Sequence, residues 1–187
     1  TNPGTSEMHF CAALDRVPGL RCVLGLFEGV VTGAADGYGR MRDFPSATLL
    51  HTGPGLGNGL ANLHNARKAR SPVVNIVGEH ATYHIRHDAP LTSDIEGIAA
   101  PVSDWVKTSR NAEDVSTDGA QAIAEARKTP GRIATLILPA DTAWNEASSG
   151  ATVPSVPNPE TVNLNALDEC ERVLRSREPV MLLLGSK

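Results

Sequence analysis

The stretch at residues 23–40, VLGLFEGVVTGAADGYGR, decides the fold class. The apolar residues 21–27 predict a buried strand. The run of glycine and alanine that follows predicts a helix whose surface can lie close to another backbone or to a ligand. Glu28 lies at the junction and is the only charged residue between Arg21 and Asp36. A strand leading into a helix through a single acid is therefore the first structural expectation.

The acid at this junction has two interpretations. Burial in apolar surroundings disfavours the charged form of a carboxyl group and can raise its pKa by as much as ~3–5 units, so that Glu28 would hold a proton near neutral pH. Alternatively, Glu28 lies at a helix N-terminus because a negative charge there interacts favourably with the helix dipole. The stretch alone slightly favours the second interpretation.

The composition is that of a globular protein. With 187 residues, 41% of them hydrophobic and 20% charged, the chain is long enough for one domain and part of a second. A net charge of −4 argues against a nucleic-acid partner. No apolar run approaches the ~20 residues of a membrane helix, so no membrane partner is expected. Three scattered cysteines give neither a disulfide framework nor a metal-site spacing, which favours the cytoplasm.

Strands and helices alternate along the chain. Further strands are predicted at residues 47–51, 72–78 and 133–138, with 101–107 as an edge strand or an irregular crossover. Helices are predicted at 6–16, 28–41, from the glycine-rich stretch to about 70, at 91–98 with Thr92 or Ser93 as the cap, and at 111–128. This alternation predicts an α/β fold, a parallel sheet flanked by helices.

The composition changes at Ser148. Residues 148–162 are rich in serine, proline and valine and predict a linker between domains. We therefore expect a first domain at 1–147 and the start of a second α/β domain at 163–187, with a helix at 164–177 and a strand at 180–185. Both ends look cut, so the chain is expected to be a piece of a longer protein.

Four glycines occupy every second position from 53 to 59, between a predicted strand and a predicted helix. Backbone N–H groups at such a junction can bind a phosphate, so a dinucleotide-binding module is one hypothesis. The spacing departs from GxGxxG because Asn58 stands at the third glycine position, although Glu79 is placed to bind a ribose. A close-packed turn without a ligand is the alternative.

The histidines offer one candidate for proton transfer. His51 ends a predicted strand, at the edge where open α/β sheets bind ligands, and is a candidate general acid or base. His80, His84 and His87 lie in a predicted loop. His84 and His87 have a metal-like spacing, but no third ligand has a definite spacing, so no metal site is predicted.

Several groups of residues together resemble the N-terminal pyrimidine-binding domain of thiamine-diphosphate enzymes. They are NPGTSE at 2–7, FE at 27–28, ADGYGR at 35–40, TGPG at 52–55 with Asn58, and, further on, SP at 71–72, Gly78, PV at 101–102, PG at 130–131 and PAD at 139–141. The resemblance spans residues 1–147. The group includes acetolactate synthase, benzoylformate decarboxylase and pyruvate decarboxylase. The strand and helix that usually precede NPG are missing, and residues 163–187 resemble the start of the family's central domain.

The resemblance implies thiamine diphosphate as the cofactor and Glu28 and His51 as catalytic residues. In this family the glutamate bonds N1′ of the aminopyrimidine ring and promotes its imino tautomer. The residues that the resemblance places at the cofactor are Pro3, Gly4, Thr5, Glu28, Gly53, Pro54, Gly55 and Asn58. It also implies Mg²⁺ bound by a C-terminal domain that this sequence lacks, and it leaves FAD possible.

A 2-keto acid substrate and a homodimer or homotetramer are implied in the same way. TGPG with Asn58 resembles the synthases, whereas Glu79 stands where they usually carry glutamine. His51 matches a histidine position of benzoylformate decarboxylase, and Thr5 stands where that enzyme has a serine. We therefore expect an acetolactate-synthase-like enzyme, of which this chain alone is inactive. The alternatives are the dinucleotide-binding module and a catalytically degenerate family member.

Overall fold

The computed structural model of the chain describes residues 1–42, 44–148, 150–156 and 161–183. The chain divides into two compact units, Thr1–Val156 and Pro157–Lys187. The strands of the first unit are β1 (Ser46–His51), β2 (Val73–Glu79), β3 (Trp105–Thr108) and β4 (Ile133–Pro139). Its α-helices are α1 (Met8–Leu14), α2 (Glu28–Arg42), α3 (Thr52–Lys68), α4 (Ile95–Ala99), α5 (Ala112–Ala126) and α6 (Ala140–Trp144). Short 3₁₀ helices lie at Thr5–Glu7 and Ile85–His87.

The four strands form one parallel sheet in the order β1-β2-β4-β3. The central strands β2 and β4 are almost entirely buried, because helices cover both faces of a sheet built from strand–helix–strand units. This arrangement confirms the predicted α/β class. It also resolves the alternative at residues 101–107, since β3 is an edge strand.

Alternate side chains of the sheet enter two separate hydrophobic layers. Val73 and Val77 of β2 face α2, α3 and α4. Val74 faces the other side, where α5 supplies Ala122 and Ala126. The small side chains of α5 allow its backbone to approach the sheet closely. A helix layer on each face leaves the carboxyl ends of the strands free for a site.

Residues 21–27 do not form the predicted strand. Among the described residues, the ladder-like contacts of this segment are with Thr1: the Thr1 amino group donates to the Val23 carbonyl, and Gly25 N–H donates to the Thr1 carbonyl. A strand needs backbone partners along its length. Without them the segment stays irregular, and Leu26 is 93% exposed. The prediction of a buried strand from this apolar run was therefore wrong.

Three smaller expectations were also wrong. The cap of α4 is Asp94, whose carboxylate accepts from Gly97 N–H, instead of Thr92 or Ser93. The glycine-rich stretch opens the helix as predicted, since α3 begins at Thr52, but its four glycines lie within the helix and not in a loop between strand and helix. Residues 180–183 are exposed and irregular, and residues 184–185 of the same predicted strand lie outside the described residues.

The second unit contains α7 (Leu164–Arg175), whose N-cap Asn163 accepts from the backbone N–H of Asn165 and Ala166. This confirms the predicted helix. Of the predicted linker at 148–162, residues 149 and 157–160 lie outside the described residues. No helix in the described ranges combines the length and apolarity that crossing a membrane requires.

Candidate functional site

The candidate site lies at the carboxyl edge of the sheet. His51 is the last residue of β1 and lies opposite Gly78, close to the end of β2. The segment before the first 3₁₀ helix reaches the same edge, because Asn2 forms a bridge with Leu50. Glu28 reaches it as the first residue of α2. Residues far apart in the sequence therefore meet where parallel sheets commonly bind ligands.

Glu28 projects from the start of α2 toward α3. Its Oε2 accepts a hydrogen bond of 3.0 Å from Asn58 Nδ2. Its Oε1 has no hydrogen-bond partner among the described residues. The side chain is half-buried, so it lies at the surface of the site and not inside the core. One interpretation of Glu28 required burial in apolar surroundings, and the other required a helix N-terminus. The structure supports the second, because Glu28 is the first residue of α2.

Hydrogen bonds between α2 and α3 fix the position of this carboxylate. Asn62 Nδ2 donates to the Gly29 carbonyl over 2.7 Å, and Thr32 Oγ1 lies 3.1 Å from the Gly59 carbonyl, to which it donates. A β-carbon on Gly33 of α2 would be 2.9 Å from Asn62 Nδ2, and one on Gly59 of α3 would be 2.9 Å from Thr32 Cγ2, so glycine at these two positions lets the helices lie this close. The small-residue run after Glu28 therefore serves helix–helix contact, as the sequence indicated.

Gly55 lies between Glu28 and His51. A β-carbon built on Gly55 would be 3.4 Å from Glu28 Oε1 and 3.5 Å from His51 Cβ. The distance between Glu28 Oε1 and His51 Cβ therefore cannot exceed the sum of these two distances. A methyl group at Gly55 would occupy space beside the free carboxylate oxygen, so glycine leaves this space open to a ligand.

The imidazole of His51 is held by an acid that the sequence analysis missed. Its Nδ1 lies 2.9 Å from Oε2 of Glu7, and the same oxygen accepts a 2.6 Å hydrogen bond from Gly4 N–H. Glu7 is only 2% exposed. A signal was present, since an acid three residues after Gly4 can reach back to its backbone N–H. Only the fold, however, brings His51 to this carboxylate.

Two glycines make room for this acid–histidine pair. A β-carbon on Gly4 would be 2.5 Å from the His51 ring, and one on Gly78 would overlap the carboxylate of Glu7. Larger residues at either position would displace one member of the pair. Gly4 of the NPG sequence thus accommodates the histidine ring here.

Burial dominates the electrostatics of the pair. It raises the pKa of Glu7 above its ordinary value, while the hydrogen bond from Gly4 N–H and the interactions with His51 lower it by less. Glu7 Oε1 is buried and has no partner among the described residues. An enclosed carboxylate with one free oxygen is costly, which points to a role beyond stability.

The residue after His51 has an unusual backbone. Thr52 is buried, has φ = +49°, and its Oγ1 has no hydrogen-bond partner in the described ranges. Positive φ is unfavourable for a β-branched residue and costs about 1–3 kcal/mol, and such conformations concentrate at functional sites. The strained turn joins β1 directly to α3 and so sets the direction of His51.

The other expected cofactor residues lie on the same edge in different settings. Pro3 and Gly4 are half-buried, whereas Thr5 and Pro54 are exposed. Gly53 is buried and in close contact with Ser93. The space next to Gly53 is therefore filled by the side chain of Ser93. Nothing in the sequence indicated that Ser93 lies next to the site.

The features of a dinucleotide site are not assembled. The glycines at 53–59 belong to α3, where most backbone N–H groups bond within the helix. Glu79 accepts from the backbone N–H of His80, and its Oε1 lies 2.8 Å from His80 Nδ1. The ring of His84 lies next to that of His80 and to that of His87, with ring centroids 5.7 Å and 5.6 Å apart. Within the described part of the chain, no group of three or more metal-binding side chains forms a candidate metal site.

Comparison with known proteins gives a consistent result. Residues 1–98 match the family model described as thiamine pyrophosphate enzyme, N-terminal TPP binding domain. The chain is 57% identical over 185 residues to a protein of Mycobacterium tuberculosis whose name is "Putative acetolactate synthase large subunit IlvX". It is 33% identical over 189 residues to a benzoylformate decarboxylase of Pseudomonas aeruginosa. These alignments cover 98% and 97% of this chain but 35% of each relative.

The solved structures agree. A thiamine diphosphate-dependent 4-hydroxybenzoylformate decarboxylase of Rhodococcus jostii RHA1 superimposes with a TM-score of 0.85 at 27% identity. The match covers 94% of this chain and 34% of that protein. The chain therefore spans about a third of the length of the proteins that it resembles.

Proposed function

The chain belongs to the thiamine pyrophosphate enzymes and carries their N-terminal cofactor-binding domain; from this premise, we propose that it is the part of such an enzyme that binds the cofactor's aminopyrimidine ring. The observation that carries the proposal is the carboxylate of Glu28. One of its oxygens is held by Asn58, and the other faces the space that Gly55 leaves open. This arrangement fits a ring nitrogen that needs one carboxyl oxygen as its partner.

Thiamine diphosphate, when bound, supplies a carbon nucleophile and an electron sink for reaction with a 2-keto acid. In this proposal, Oε1 of Glu28 forms a hydrogen bond with ring nitrogen N1′ and transfers a proton to or from it. Asn58 holds Oε2 and so limits rotation of the carboxylate. Glu28 is the first residue of α2, so its side chain starts from the end of the helix where backbone N–H groups are free of intrahelical partners.

His51 is proposed as the residue that moves a proton at the substrate. It lies close to Glu28, across Gly55, and Nε2 has no partner among the described residues. Its side chain is 22% exposed, so a ligand can reach it. We propose the remaining cofactor contacts as the resemblance implied them, at Pro3, Gly4, Thr5, Gly53, Pro54, Gly55 and Asn58.

The proposed reaction is decarboxylation of a 2-keto acid or its carboligation, as in an acetolactate-synthase-like enzyme. The names of the two most informative relatives, an acetolactate synthase subunit and a benzoylformate decarboxylase, support this class. We propose Mg²⁺ bound by residues outside this chain, and a separate calorimetric titration of FAD into the full-length protein tests whether FAD is also bound. The dinucleotide-binding alternative is not favoured, because its glycines lie within α3.

We further propose that the chain acts as a homodimer or homotetramer in the cytoplasm. Three apolar side chains next to Glu28 support the assembly, since Leu26, Phe27 and Val30 are all exposed. Another copy covering them would also shield the carboxylate from water. The domain organisation is proposed as residues 1–147, a linker at 148–162 and the start of a central domain at 163–187. Analytical ultracentrifugation and limited proteolysis test these two proposals.

The central experiment is calorimetric titration of thiamine diphosphate with Mg²⁺ into the full-length protein. Glu28→Gln and Glu28→Ala are compared with Glu125→Gln, a glutamate of α5 on the other face of the sheet. We expect binding to weaken in both Glu28 variants and to remain in the control. Hydrogen exchange at the cofactor C2 should be lost in Glu28→Gln.

Three results of this experiment are decisive. Unchanged exchange in Glu28→Gln would contradict the assigned role. Absence of binding to the folded full-length protein would contradict the cofactor proposal as a whole. Binding without turnover of any 2-keto acid would identify a degenerate family member.

A further inference from the structure

The buried acid of the site is Glu7, and the proposed chemistry above does not use it. Its carboxylate is 2% exposed, and it contacts Gly4 N–H and His51. A structural acid in such a position would be expected to satisfy both oxygens, because leaving a buried oxygen without a hydrogen-bond partner is unfavourable. Here Oε1 stays unpaired among the described residues. The arrangement therefore keeps the contact between Glu7 Oε2 and His51 although Oε1 is left without a hydrogen bond.

The protonation of the pair follows from the shared oxygen. Gly4 N–H can only donate, and its hydrogen bond to Glu7 Oε2 is 2.6 Å long. An ionised carboxylate oxygen can accept more than one hydrogen bond. At a pH where Glu7 is ionised, His51 Nδ1 must therefore carry the hydrogen that points at Oε2. The neutral ring then has its lone pair on Nε2.

The surroundings hold the ring in this orientation. A β-carbon on Gly4 would be 2.5 Å from the ring, and Nδ1 is fixed at 2.9 Å from Glu7. Gly78 leaves the space that the carboxylate occupies. Nε2 is the ring nitrogen without a partner in the described ranges. The ring therefore has one nitrogen directed at the acid and one left for another molecule.

We propose that Glu7 is the positioning residue of His51, holding it in the Nδ1–H tautomer so that Nε2 is the atom that accepts a proton in the site. A buried carboxylate that orients a histidine through Nδ1 is a general device of proton-transfer sites. The inference rests on the proposed function for its catalytic consequence only. The tautomer itself can be measured without any activity.

The direct test is two-bond ¹H–¹⁵N NMR spectroscopy of the ¹⁵N-labelled 187-residue chain, which has six histidines. The signal of His51 is assigned by its loss in His51→Gln. At alkaline pH, where the rings are neutral, we expect the Nδ1–H pattern for His51. An Nε2–H pattern would overturn the proposal, because it would mean that Glu7 carries the proton and donates it to Nδ1. Protonation of both nitrogens would also overturn it.

Two variants of the acid sharpen the result. Glu7→Leu removes the acceptor, so His51 should shift to the Nε2–H tautomer that free histidine favours. Glu7→Gln should keep the Nδ1–H pattern, because Gly4 N–H still requires an oxygen at that place. An unchanged His51 pattern in a folded Glu7→Leu would overturn the proposal. If Glu7→Leu fails to fold, the wild-type and Glu7→Gln spectra still decide it.

The chain contains a matched control. Glu79 is also buried, and its Oε1 lies 2.8 Å from His80 Nδ1, almost the same distance as in the Glu7–His51 pair. Glu79→Leu should change the pattern of His80 and leave that of His51. Conversely, Glu7→Leu should leave His80 unchanged. A change of both histidines in either variant would indicate a general disturbance and contradict a specific role of Glu7.

The catalytic consequence is tested in the full-length protein. Turnover of a 2-keto acid should fall at least tenfold in Glu7→Leu, with a smaller loss in Glu7→Gln. The double variant with His51→Leu should lose no more than His51→Leu alone, because Glu7 acts through the histidine. Additive losses would overturn the positioning role. If no 2-keto acid is turned over, the proposed function fails, whereas the NMR result continues to support or contradict the tautomer.

Discussion

Substitution of Gly55 by alanine separates ligand binding from the stability of the helix that carries the site. Gly55 lies in the first turns of α3. The new β-carbon would be 3.4 Å from Glu28 Oε1 and 3.5 Å from His51 Cβ, which are ordinary van der Waals distances. Alanine in place of glycine stabilises a helix by roughly 0.5–1 kcal/mol. The free energy of unfolding of Gly55→Ala should therefore equal or exceed that of the wild type.

Binding of thiamine diphosphate should change in the opposite direction. A ring nitrogen that bonds Glu28 must come within about 2.7–3.2 Å of Oε1. The methyl group of Gly55→Ala takes up space beside this oxygen. Losing a hydrogen bond to a charged group costs about 1.5–3 kcal/mol. This corresponds to roughly ten- to a hundredfold weaker binding.

The control substitution is Gly57→Ala in the same helix. No atom lies within 4 Å of a β-carbon on Gly57, so its stability should rise and its binding stay the same. Urea unfolding of the 187-residue chain measures stability, and calorimetry on the full-length protein measures binding. The reasoning is refuted if Gly55→Ala binds as tightly as Gly57→Ala. It is equally refuted if Gly55→Ala is less stable than the wild type.

Two further predictions concern pH. Burial raises the pKa of Glu7, with smaller opposing hydrogen bonds, so its stabilising contribution is present below the unfolded pKa and is lost as pH rises through the folded pKa. The stability of Glu7→Gln relative to the wild type should therefore rise as pH increases above the ordinary glutamate pKa of ~4.3, and a constant difference in urea unfolding would contradict this. Burial acts to raise the pKa of Asp36, but hydrogen bonds from Arg40 and Ser71 outweigh it and lower the pKa overall. Asp36→Asn should thus cost about 1–3 kcal/mol at neutral pH and progressively less below ~pH 4, and an equal cost at both pH values would contradict this sign.

Much of the fold could be predicted because its strands are short continuous apolar runs. β1, β2 and β4 were expected within one residue at most ends, since strands buried on both faces have few polar positions. The segment at 21–27 has the same composition but few backbone partners, so it stays irregular. Composition reports what a segment can bury, whereas pairing decides whether it does.

The glycines at 53–59 show a second limit. Glycine favours turns and loops in general, so a phosphate-binding loop was one interpretation of the stretch that was predicted to open this helix. In the structure these glycines serve contacts at the surface of a helix, such as those of Gly55 with Glu28 and of Gly53 with Ser93. Close approach between elements cannot be distinguished from turn geometry without the neighbours. The start of α2 at Glu28, by contrast, was predicted correctly, whereas the strand predicted directly before it is absent.

The acid that is buried in the site is not the one for which the sequence suggested burial. Glu28 was the candidate for enclosure, yet it is half-buried, whereas Glu7, 44 residues from its partner His51, is enclosed. No local pattern could indicate that contact, because it depends on the pairing of Asn2 with Leu50 at the end of β1.

This difference in burial also separates what the two acids can do. A residue that bonds a ligand arriving from solvent must keep an accessible oxygen, and Glu28 does so beside Gly55. An acid that is 2% exposed cannot meet a ligand directly, so it acts through the group it touches. The Glu7 carboxylate touches the ring of His51, which is accessible. Enclosure therefore argues for a positioning role of Glu7, and partial exposure argues for direct contact by Glu28.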